Sequence, residues 1–341
     1  MANIGIIGCG RIIPKHIKAI SYNSKKYKIN LVSVCDKDID KALFYAKKIG
    51  INAYSNMHLM LKQENLDLIV ILTESGNHIK HILELAKYKK IFIVEKPLSL
   101  NFKDCIKLKK ICKKYNSKIF VVKQNRFNQA IIKLKEYVNK NKFGKLFLGS
   151  VKVRWCRKQD YYNLSSWRGT DLLDGGVIGN QASHHIDMLL WMMGEVKSVY
   201  AQGINAAVKI ESFDTVIVNI KFKNGSLGVI EATVATRPKD LEGSISILGT
   251  KGTVVVGGFA MNKINEWSFD NPKNNIKNIN KYNTKPKNVY GFGHKAFYSY
   301  VLKCLKKDKR KYFIYPENAF EVVKVISAII KSAKSSKEIS L

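Results

Sequence analysis

A glycine turn directly after an apolar run constrains the fold of this chain more than any other feature. The apolar segment Ala2–Ile7 is followed by Gly8-Cys9-Gly10-Arg11-Ile12-Ile13 and then by a segment with helical spacing. Glycines at the first two motif positions permit a tight turn and a close approach of the backbone to a phosphate at a helix N-terminus. Ile13 replaces the third motif glycine, so an ordinary tight turn remains an alternative.

The first third of the chain repeats this strand–helix rhythm. Apolar runs that predict strands lie at Ala2–Ile7, Ile29–Cys35, Leu66–Thr73, Ile91–Glu95 and Lys118–Lys123. Nearly continuous apolar strands separated by helical segments are typical of a parallel sheet with helices on both faces. We therefore predict the α/β class, with a doubly wound parallel sheet in an N-terminal Rossmann domain over residues 1–123.

The pattern changes after residue 123. Between Val199 and Gly257, several runs alternate apolar and polar residues and are separated by turns, which predicts a largely antiparallel sheet. Helical spacing appears at Ile131–Asn141, at Gly175–Met193 and over about 316–334. The remainder of the chain, 124–341, is therefore predicted to be a second, α+β domain.

Composition excludes several classes of protein. The formal net charge is +33, but the lysines are spread along the chain rather than clustered, which favours solvated faces over a nucleic-acid interface. Attraction of an anionic substrate or partner stays open. The six cysteines show no CxxC spacing, which argues against a disulfide framework and a zinc site. Without a signal peptide or an apolar run of about 20 residues, we expect a cytoplasmic protein with no membrane contact.

Asp36 suggests which dinucleotide the turn would hold. It ends the second predicted strand, where a carboxylate accepts hydrogen bonds from the adenosine ribose hydroxyls. The same charge would repel a 2′-phosphate, so NAD is favoured over NADP. Lys37 weakens this preference, and a role as helix cap for the segment Asp38–Lys48 is the alternative.

Two further features point to chemistry. Glu95-Lys96-Pro97 ends a buried strand, and ligands of open α/β sheets bind at the carboxyl ends of strands. A lysine there, with its pKa lowered by burial, exchanges a proton with a hydroxyl under oxidation. A solvated lysine is the alternative interpretation.

The second feature is a polar face on an otherwise apolar helix. Asn180, His184 and Asp187 fall at positions i, i+4 and i+7, hence on one side. The adjacent pair His184-His185 diverges by about 100° on a helix, so a metal site is not predicted. A structural histidine remains the alternative to a catalytic one.

These motifs together resemble the glucose–fructose oxidoreductase/inositol dehydrogenase (Gfo/Idh/MocA) family over essentially the whole chain. The resemblance rests on the glycine turn, on Thr73 with Asn77-His78, on Glu95-Lys96-Pro97 and on the helix with His184. It implies that the second domain contains an open, mostly antiparallel sheet, which commonly packs against another subunit. A homodimer or homotetramer is therefore expected.

The family's site residues carry over to matching positions. The lysine of its EKP motif falls on Lys96, and its DxxxH helix falls on Asn180 and His184, with asparagine where sugar-alcohol dehydrogenases often have aspartate. The cofactor contacts that the resemblance implies are Gly8, Gly10, Arg11, Ile12, Asp36, Thr73, Asn77, His78, Glu95 and Lys96. The implied substrate contacts are Arg126, Trp167, Arg168, Asn180 and His184.

Residues 73–78, 123–128, 167–170 and 180–185 resemble a subgroup linked to surface-polysaccharide synthesis, the UDP-N-acetyl-2-amino-2-deoxyglucuronate 3-dehydrogenases. This implies NAD-dependent oxidation of a ring hydroxyl, at C3, of a UDP-N-acetylated hexosamine or hexosaminuronate. Such a substrate is anionic, and arginines bind anions through bidentate forks. Candidates besides those named above are Arg154, Arg157 and Arg237.

The expected mechanism places the hydroxyl between Lys96 and His184. His184 is the expected general base because the unperturbed pKa of histidine lies near neutrality. Lys96 would polarise the forming carbonyl, although the two roles could be exchanged, and Asn180 would hydrogen-bond the sugar or orient the base. Alternatives are a dehydrogenase of a free polyol or sugar, the substrate UDP-N-acetylglucosamine, and a non-catalytic regulator that senses a dinucleotide.

Overall fold

The chain forms two compact units. The computed structural model describes residues 2–286, 288–307 and 316–341. One unit comprises Met1–Val122 with His294–Phe320, and the other comprises Lys123–Gly293 with Glu321–Leu341. The domains predicted from the sequence were residues 1–123 and 124–341.

The first unit contains a parallel sheet, as predicted, and the sheet has six strands. Its strands are β1 (Ala2–Ile7), β2 (Ile29–Cys35), β3 (Asn52–Tyr54), β4 (Leu68–Ile71), β5 (Ile91–Val94) and β6 (Ile119–Val121). Their order, β3-β2-β1-β4-β5-β6, is that of a doubly wound Rossmann sheet. β3 was not predicted, because its three exposed or partly exposed residues form no apolar run.

Helices connect these strands, and polar or left-handed residues fix several of their ends. They are α1 (Ile13–Tyr27), α2 (Ile39–Ile49), α3 (Met57–Gln63), α4 (His78–Leu85) and α5 (Phe102–Tyr115). The side chain of Asn56 accepts hydrogen bonds from two backbone N–H groups at the start of α3, and Asn101 accepts one at the start of α5. Gly50 ends α2 in the left-handed conformation.

Gly8 lies where the strand order reverses, between β1 and β4. Its φ of 99° is in the left-handed region, and a Cβ atom there would lie 2.7 Å from the carbonyl carbon of Leu72. Only glycine satisfies both constraints without displacing the backbone that follows β4. The turn therefore requires glycine at this position for steric reasons.

The second unit contains an eight-stranded open sheet in the order β13-β12-β11-β7-β10-β9-β8-β14. Its strands are β7 (Leu146–Arg154), β8 (Val196–Ile204), β9 (Thr215–Phe222), β10 (Leu227–Thr233), β11 (Glu242–Gly249), β12 (Gly252–Gly257), β13 (Lys263–Phe269) and β14 (Ile339–Ser340). β7 and β10 pair in parallel, and the other neighbours pair antiparallel. The predicted open, mostly antiparallel sheet is confirmed.

One face of this sheet carries the core of the unit. In β9, Val216, Val218, Ile220 and Phe222 are buried, and the residues between them face outward. The helices α6 (Gln129–Asn139), α7 (Gln159–Asn163) and α8 (Ser183–Met193) belong to this unit. Leu134 from α6 and Ile186 from α8 join the same apolar cluster. The homo-oligomer expected from the family resemblance stays a prediction.

The segment Gly175–Met193 is not one continuous helix. Gly175 and Gly176 have positive φ values, and residues Val177–Gln181 form a wide helical turn closed by a hydrogen bond from the Ala182 N–H to the Val177 carbonyl oxygen. α8 begins only at Ser183. Asn180 therefore lies in the wide turn, whereas His184 and Asp187 lie in α8, so the three predicted site residues do not share one regular α-helix.

Two helices complete the described chain. α9 (Gly293–Lys307), which the sequence analysis did not assign, buries Phe297, Tyr298 and Val301. α10 (Pro316–Ser335) begins at the predicted proline and ends one residue beyond the predicted end. Among the residues that the structure describes, no helix is both long and apolar enough to cross a bilayer.

We predict that Ile326→Ala destabilises the protein by about 2–5 kcal/mol, because Ile326 in α10 is fully buried and its removal leaves a cavity. Chemical denaturation monitored by circular dichroism measures this change. Glu321→Ala, at an exposed position of the same helix, is the matched control and should leave the denaturation midpoint nearly unchanged. Equal effects of the two substitutions would contradict the packing of α10.

Candidate active site

The candidate cofactor residues of the first unit lie where its strands end. Gly8 follows β1, Asp36 follows β2, Thr73 follows β4, and Glu95 with Lys96 follows β5. Carboxyl ends of parallel strands meet at one edge of the sheet, so the fold brings these positions together. The sequence predicted that these residues lie at the carboxyl edge of the sheet, because this placement depends only on the order of the strands and motifs along the chain.

The start of α1 is suited to an anion. No side chain caps this helix, its first turn contains no acidic residue, and a Cβ atom built on Gly10 would meet nothing within 4 Å. Arg11 is exposed and Ile12 is partly buried, both at the same turn. Uncapped backbone N–H groups with open space beside them fit the pyrophosphate of a dinucleotide.

Asp36 anchors this turn. One carboxylate oxygen accepts a 2.7 Å hydrogen bond from the Cys9 N–H, and the other accepts one of 3.0 Å from the Asp38 N–H. Each carboxylate oxygen has a further lone pair, which leaves acceptor capacity for ribose hydroxyls. Asp36 does not cap α2, whose N-cap residue is Asp38.

His78 ties the segment after β4 to the segment after β5. Its Nδ1 lies 2.6 Å from the carbonyl oxygen of Pro97, and its Nε2 lies 3.0 Å from that of Thr73. A neutral ring donates to one of these oxygens and an imidazolium donates to both. Burial lowers the pKa of His78, and the carbonyl of Pro97 and the charge of Glu95 oppose this. Asn77 lies nearby and donates to Glu74.

The carboxylate of Glu95 is turned into the unit. It contacts His16 in α1, and it accepts a 3.0 Å hydrogen bond from the backbone N–H of Lys96. Lys96 itself is partly buried, and its peptide bond to Pro97 is cis. His16 had no distinguishing signal in the sequence, because its partner Glu95 lies 79 residues away.

In the second unit, His184 in α8 contacts a residue that the sequence analysis did not assign to the site. The amide nitrogen of Gln124 donates a 2.8 Å hydrogen bond to the Nε2 atom of His184, and both side chains are buried. Gln124 belongs to the stretch that carried part of the family resemblance, but nothing in the sequence indicated this contact.

Asp187, one helical turn beyond His184, binds two cations from the segment that contains Gln124. Its carboxylate lies 2.6 Å from the Nζ atom of Lys123 and accepts hydrogen bonds of 2.6 and 2.7 Å from the guanidinium of Arg126. Burial raises the pKa of Asp187, but the charges of Arg126 and Lys123 outweigh it and hold that pKa below its ordinary value. Burial also lowers the pKa of Lys123 to about 8, against the opposing charge of Asp187.

The predicted substrate arginines differ in their surroundings. Arg126 binds Asp187 and stacks on Trp191. Two of the additional candidates also bind acidic residues, Arg154 with Glu231 and Glu242, and Arg157 with Asp240. Arg237 donates to backbone carbonyl oxygens. These residues contribute to the packing of the unit.

Arg168 is placed differently. Its guanidinium stacks on the rings of Tyr161 and Trp167, 4.4 and 4.6 Å from their centres, and within the described chain it forms no ion pair. Arg168 lines an open pocket of about 350 Å³ together with Lys209. The second unit therefore offers a cationic, aromatic-flanked surface suited to an anion.

Asn180 is held by an acidic residue. Its amide nitrogen donates to the carboxylate of Asp174, which is fully buried and also accepts a 3.0 Å hydrogen bond from the Gly169 N–H. Because one amide proton is used in this way, the Asn180 side chain has a fixed orientation. The sequence analysis did not identify Asp174.

Comparison with known proteins places this arrangement among oxidoreductases. Residues 2–123 match the GFO_IDH_MocA family described as "Oxidoreductase family, NAD-binding Rossmann fold". Residues 135–341 match the corresponding "C-terminal alpha/beta domain". A myo-inositol 2-dehydrogenase of Thermotoga maritima is 29% identical over 259 residues, which are 74% of each protein.

Solved structures show closer similarity. The WlbA dehydrogenase of Bordetella pertussis, in complex with NADH and UDP-GlcNAcA, is 35% identical with a TM-score of 0.90, and the match covers 99% of this chain and 98% of that one. The WlbA dehydrogenase of Chromobacterium violaceum, with the same two ligands, is 33% identical with a TM-score of 0.90, covering 100% and 96%.

We predict that Asp187→Asn lowers the free energy of unfolding by about 3–5 kcal/mol, because it leaves Lys123 and Arg126 partly or fully buried without their carboxylate. Urea denaturation measures the change. Glu195→Gln removes an acidic partner from an exposed ion pair with Lys223 and is the control, expected to show no measurable change. An Asp187→Asn protein as stable as the wild type would contradict the proposed role of this carboxylate in the packing.

Proposed function

Because the chain belongs to the Gfo/Idh/MocA oxidoreductase family, we propose that it oxidises the C3 hydroxyl of a UDP-N-acetylated hexosamine or hexosaminuronate. It is an NAD-binding dehydrogenase. The observation that carries the substrate proposal is the similarity, over nearly the entire chain, to dehydrogenases whose structures hold NADH and UDP-GlcNAcA. A role in polysaccharide synthesis is part of the same proposal.

The first unit fits NAD. The open start of α1 and the glycines at positions 8 and 10 would hold the pyrophosphate, and Asp36 would accept hydrogen bonds from the adenosine ribose. When bound, the nicotinamide supplies the hydride acceptor. Thr73, Asn77 and His78 flank the segment after β4 and are proposed to line the cofactor site.

The protein's own contribution to the reaction is proton transfer. As the ring hydrogen leaves C3, the hydroxyl must lose its proton, and His184 is proposed as the base. In the structure the Gln124 amide N–H donates to Nε2 of His184 and holds the imidazole in one orientation, so the substrate hydroxyl would replace this donor at Nε2 when His184 acts as base. Lys96 would donate a hydrogen bond to the oxygen that becomes a carbonyl. We expect His184 to be the base and Lys96 to be the polarising group. The alternative is that Lys96 is the base and His184 polarises the oxygen.

The substrate is proposed to contact the second unit through Asn180 and Arg168. Asn180 donates one amide proton to Asp174, and this bond fixes the orientation in which the amide would meet sugar hydroxyls. Arg168 and Trp167 would meet the anionic and planar parts of a UDP-sugar. Arg126 was predicted as a substrate residue, but its bidentate bond to Asp187 supports a role in positioning α8.

The inositol dehydrogenase relative supports a second candidate, oxidation of a free polyol. In dehydrogenases of that kind the resemblance leads us to expect an aspartate at the position of Asn180. A neutral amide cannot relay a proton as a carboxylate does. The amide therefore favours the nucleotide-sugar substrate.

A panel of substrates tests the proposal. Purified protein is incubated with NAD and with UDP-GlcNAcA, UDP-GlcNAc or myo-inositol, and nicotinamide reduction is followed at 340 nm. A 2-oxo acid is added in parallel, because it would reoxidise reduced cofactor that remains bound. We expect reduction or turnover with a UDP-sugar. Reduction with myo-inositol alone would overturn the substrate proposal.

Variants test the residue roles. Lys96→Met and His184→Ala are each expected to lower kcat by about 10²–10⁴, the usual contribution of a general acid or base. Lys109→Met in α5 and His58→Ala in α3 are matched controls at residues outside the proposed site, and their kcat should stay close to that of the wild type. A His184→Ala protein whose kcat falls less than about tenfold would remove His184 from the role of base.

A further inference from the structure

A buried network surrounds the Glu95 carboxylate in the first unit. Its members come from separate parts of the chain: His16 in α1, Glu95 and Lys96 after β5, and His294 and Tyr298 in α9. We propose that Glu95 is a positioning residue, which holds the backbone of Lys96 in place and is itself fixed by His16 and Tyr298. The inference rests on the proposed role of Lys96 in the reaction.

The geometry of this network indicates where its protons lie. A carboxylate only accepts hydrogen bonds, so the Nε2 atom of His16, 3.0 Å from Glu95 Oε1, carries a proton. Burial lowers the pKa of His16, which favours the neutral ring, and in a neutral ring with its proton on Nε2 the Nδ1 atom is an acceptor. The hydroxyl of Tyr298, 2.8 Å away, then donates to Nδ1. Tyr298, His16 and Glu95 thus form a directed chain of hydrogen bonds.

The second carboxylate oxygen acts on the backbone at Lys96. Glu95 Oε2 accepts a 3.0 Å hydrogen bond from the Lys96 N–H. On the other side of Lys96, the carbonyl oxygen of Pro97 lies 2.6 Å from His78. Buried side chains therefore hold the peptide group before Lys96 and the one after Pro97, which restricts where the Lys96 ammonium group can reach.

Charge explains why a carboxylate is suited to this position. Glu95 is nearly fully buried, and burial alone would raise its pKa. The hydrogen bond from His16 and the proximity of His294, whose Nε2 lies 3.8 Å from Oε1, outweigh burial and hold the pKa well below its ordinary value. Glu95 therefore stays an acceptor at neutral pH, and it accepts from both His16 and the Lys96 N–H.

The same unit contains a natural control. Tyr88, His58 and Glu84 form an equivalent chain, with His58 Nδ1 3.1 Å from the tyrosine hydroxyl and His58 Nε2 2.5 Å from the carboxylate. This chain is partly exposed: the Glu84 side chain is 48% accessible to solvent, against 9% for Glu95. Both chains contain the same three residue types, but only the Glu95 chain continues to the Lys96 backbone.

The experiment compares Glu95→Gln and His16→Ala with Glu84→Gln in the full-length protein. An amide at position 95 has one oxygen for two N–H donors, so the bond to Lys96 or the bond to His16 is lost. Hydrogen exchange with mass spectrometry, using overlapping peptides that resolve the Lys96 amide, should show exchange at least about tenfold faster in both Glu95 network variants. Glu84→Gln should exchange like the wild type.

Steady-state kinetics adds a readout that a loss of stability alone would not produce. In the network variants kcat should fall by about 10–10², the scale expected from misplacing a catalytic group, while the Kd for NADH changes less than about threefold. His16→Gln places an amide N–H near the position of the ring Nε2–H and should restore most of the activity. If His16→Ala does not fold, His16→Gln and Tyr298→Phe still test the network, with smaller effects in the same direction.

Three results would overturn the proposal. The first is unchanged exchange at the Lys96 amide in Glu95→Gln. The second is a change in kcat equal to that of Glu84→Gln. The third is about one equivalent of Zn²⁺ retained by the wild type after desalting and lost from both network variants, because His16, Glu95 and His294 would then be metal ligands. If the wild type oxidises no sugar, the proposed function fails, and the exchange measurement still decides whether Glu95 holds Lys96.

Discussion

The buried carboxylate of Asp187 is the interaction on which the arrangement of the second unit depends. It binds Lys123 and Arg126, which lie on both sides of Gln124. Gln124 in turn contacts His184, one turn before Asp187 on the same helix. Removing two cations and a carboxylate from water is costly, and their mutual attraction offsets this cost only when all three are present in good geometry. The ion pairs therefore fix the register between the 123–127 segment and α8, and with it the contact of the proposed base.

The two residues proposed for proton transfer are positioned in a similar way. Lys96 and His184 are each held by a buried polar side chain, Glu95 in one unit and Gln124 in the other. The supporting side chains differ in charge: Lys96 is held through its backbone by a carboxylate, whereas His184 is held through its ring by a neutral amide. A neutral partner does not stabilise an imidazolium as a carboxylate does. Asn180 is likewise a neutral amide, at a position where an aspartate is expected in polyol dehydrogenases.

The sequence predicted the parts of the site that depend on local pattern and strand order. Gly8, Asp36 and Lys96 were placed correctly at strand ends, because parallel strands share one carboxyl edge and each residue ends its own strand. The wide turn at Val177–Gln181 was not predicted. The spacing of Asn180, His184 and Asp187 is that of an ordinary α-helix, and only the structure shows the wide turn and the positive φ values of Gly175 and Gly176 before it.

Long-range partners were beyond prediction for a different reason. Tyr298 lies 282 residues from His16, and Gln124 lies 60 residues from His184. No periodicity links residues at such separations, and an apolar helix such as α9 gives no indication of which sheet it covers. The candidate arginines could not be distinguished from the sequence for the same reason. Each is an equally good candidate for binding an anion, and only the structure shows which of them bind acidic residues and that Arg168 instead stacks on aromatic rings.

Transfer of the C3 hydrogen to the cofactor is the central claim, and isotopic labelling tests it most directly. The protein is given NAD and UDP-GlcNAcA deuterated at C3 for a single turnover, then denatured, and the released nicotinamide is analysed by mass spectrometry and NMR. We expect deuterium at C4 of the reduced nicotinamide ring and a 3-oxo sugar as product. Reduced cofactor without deuterium, or sugar that keeps its C3 deuterium while cofactor is reduced, would contradict it.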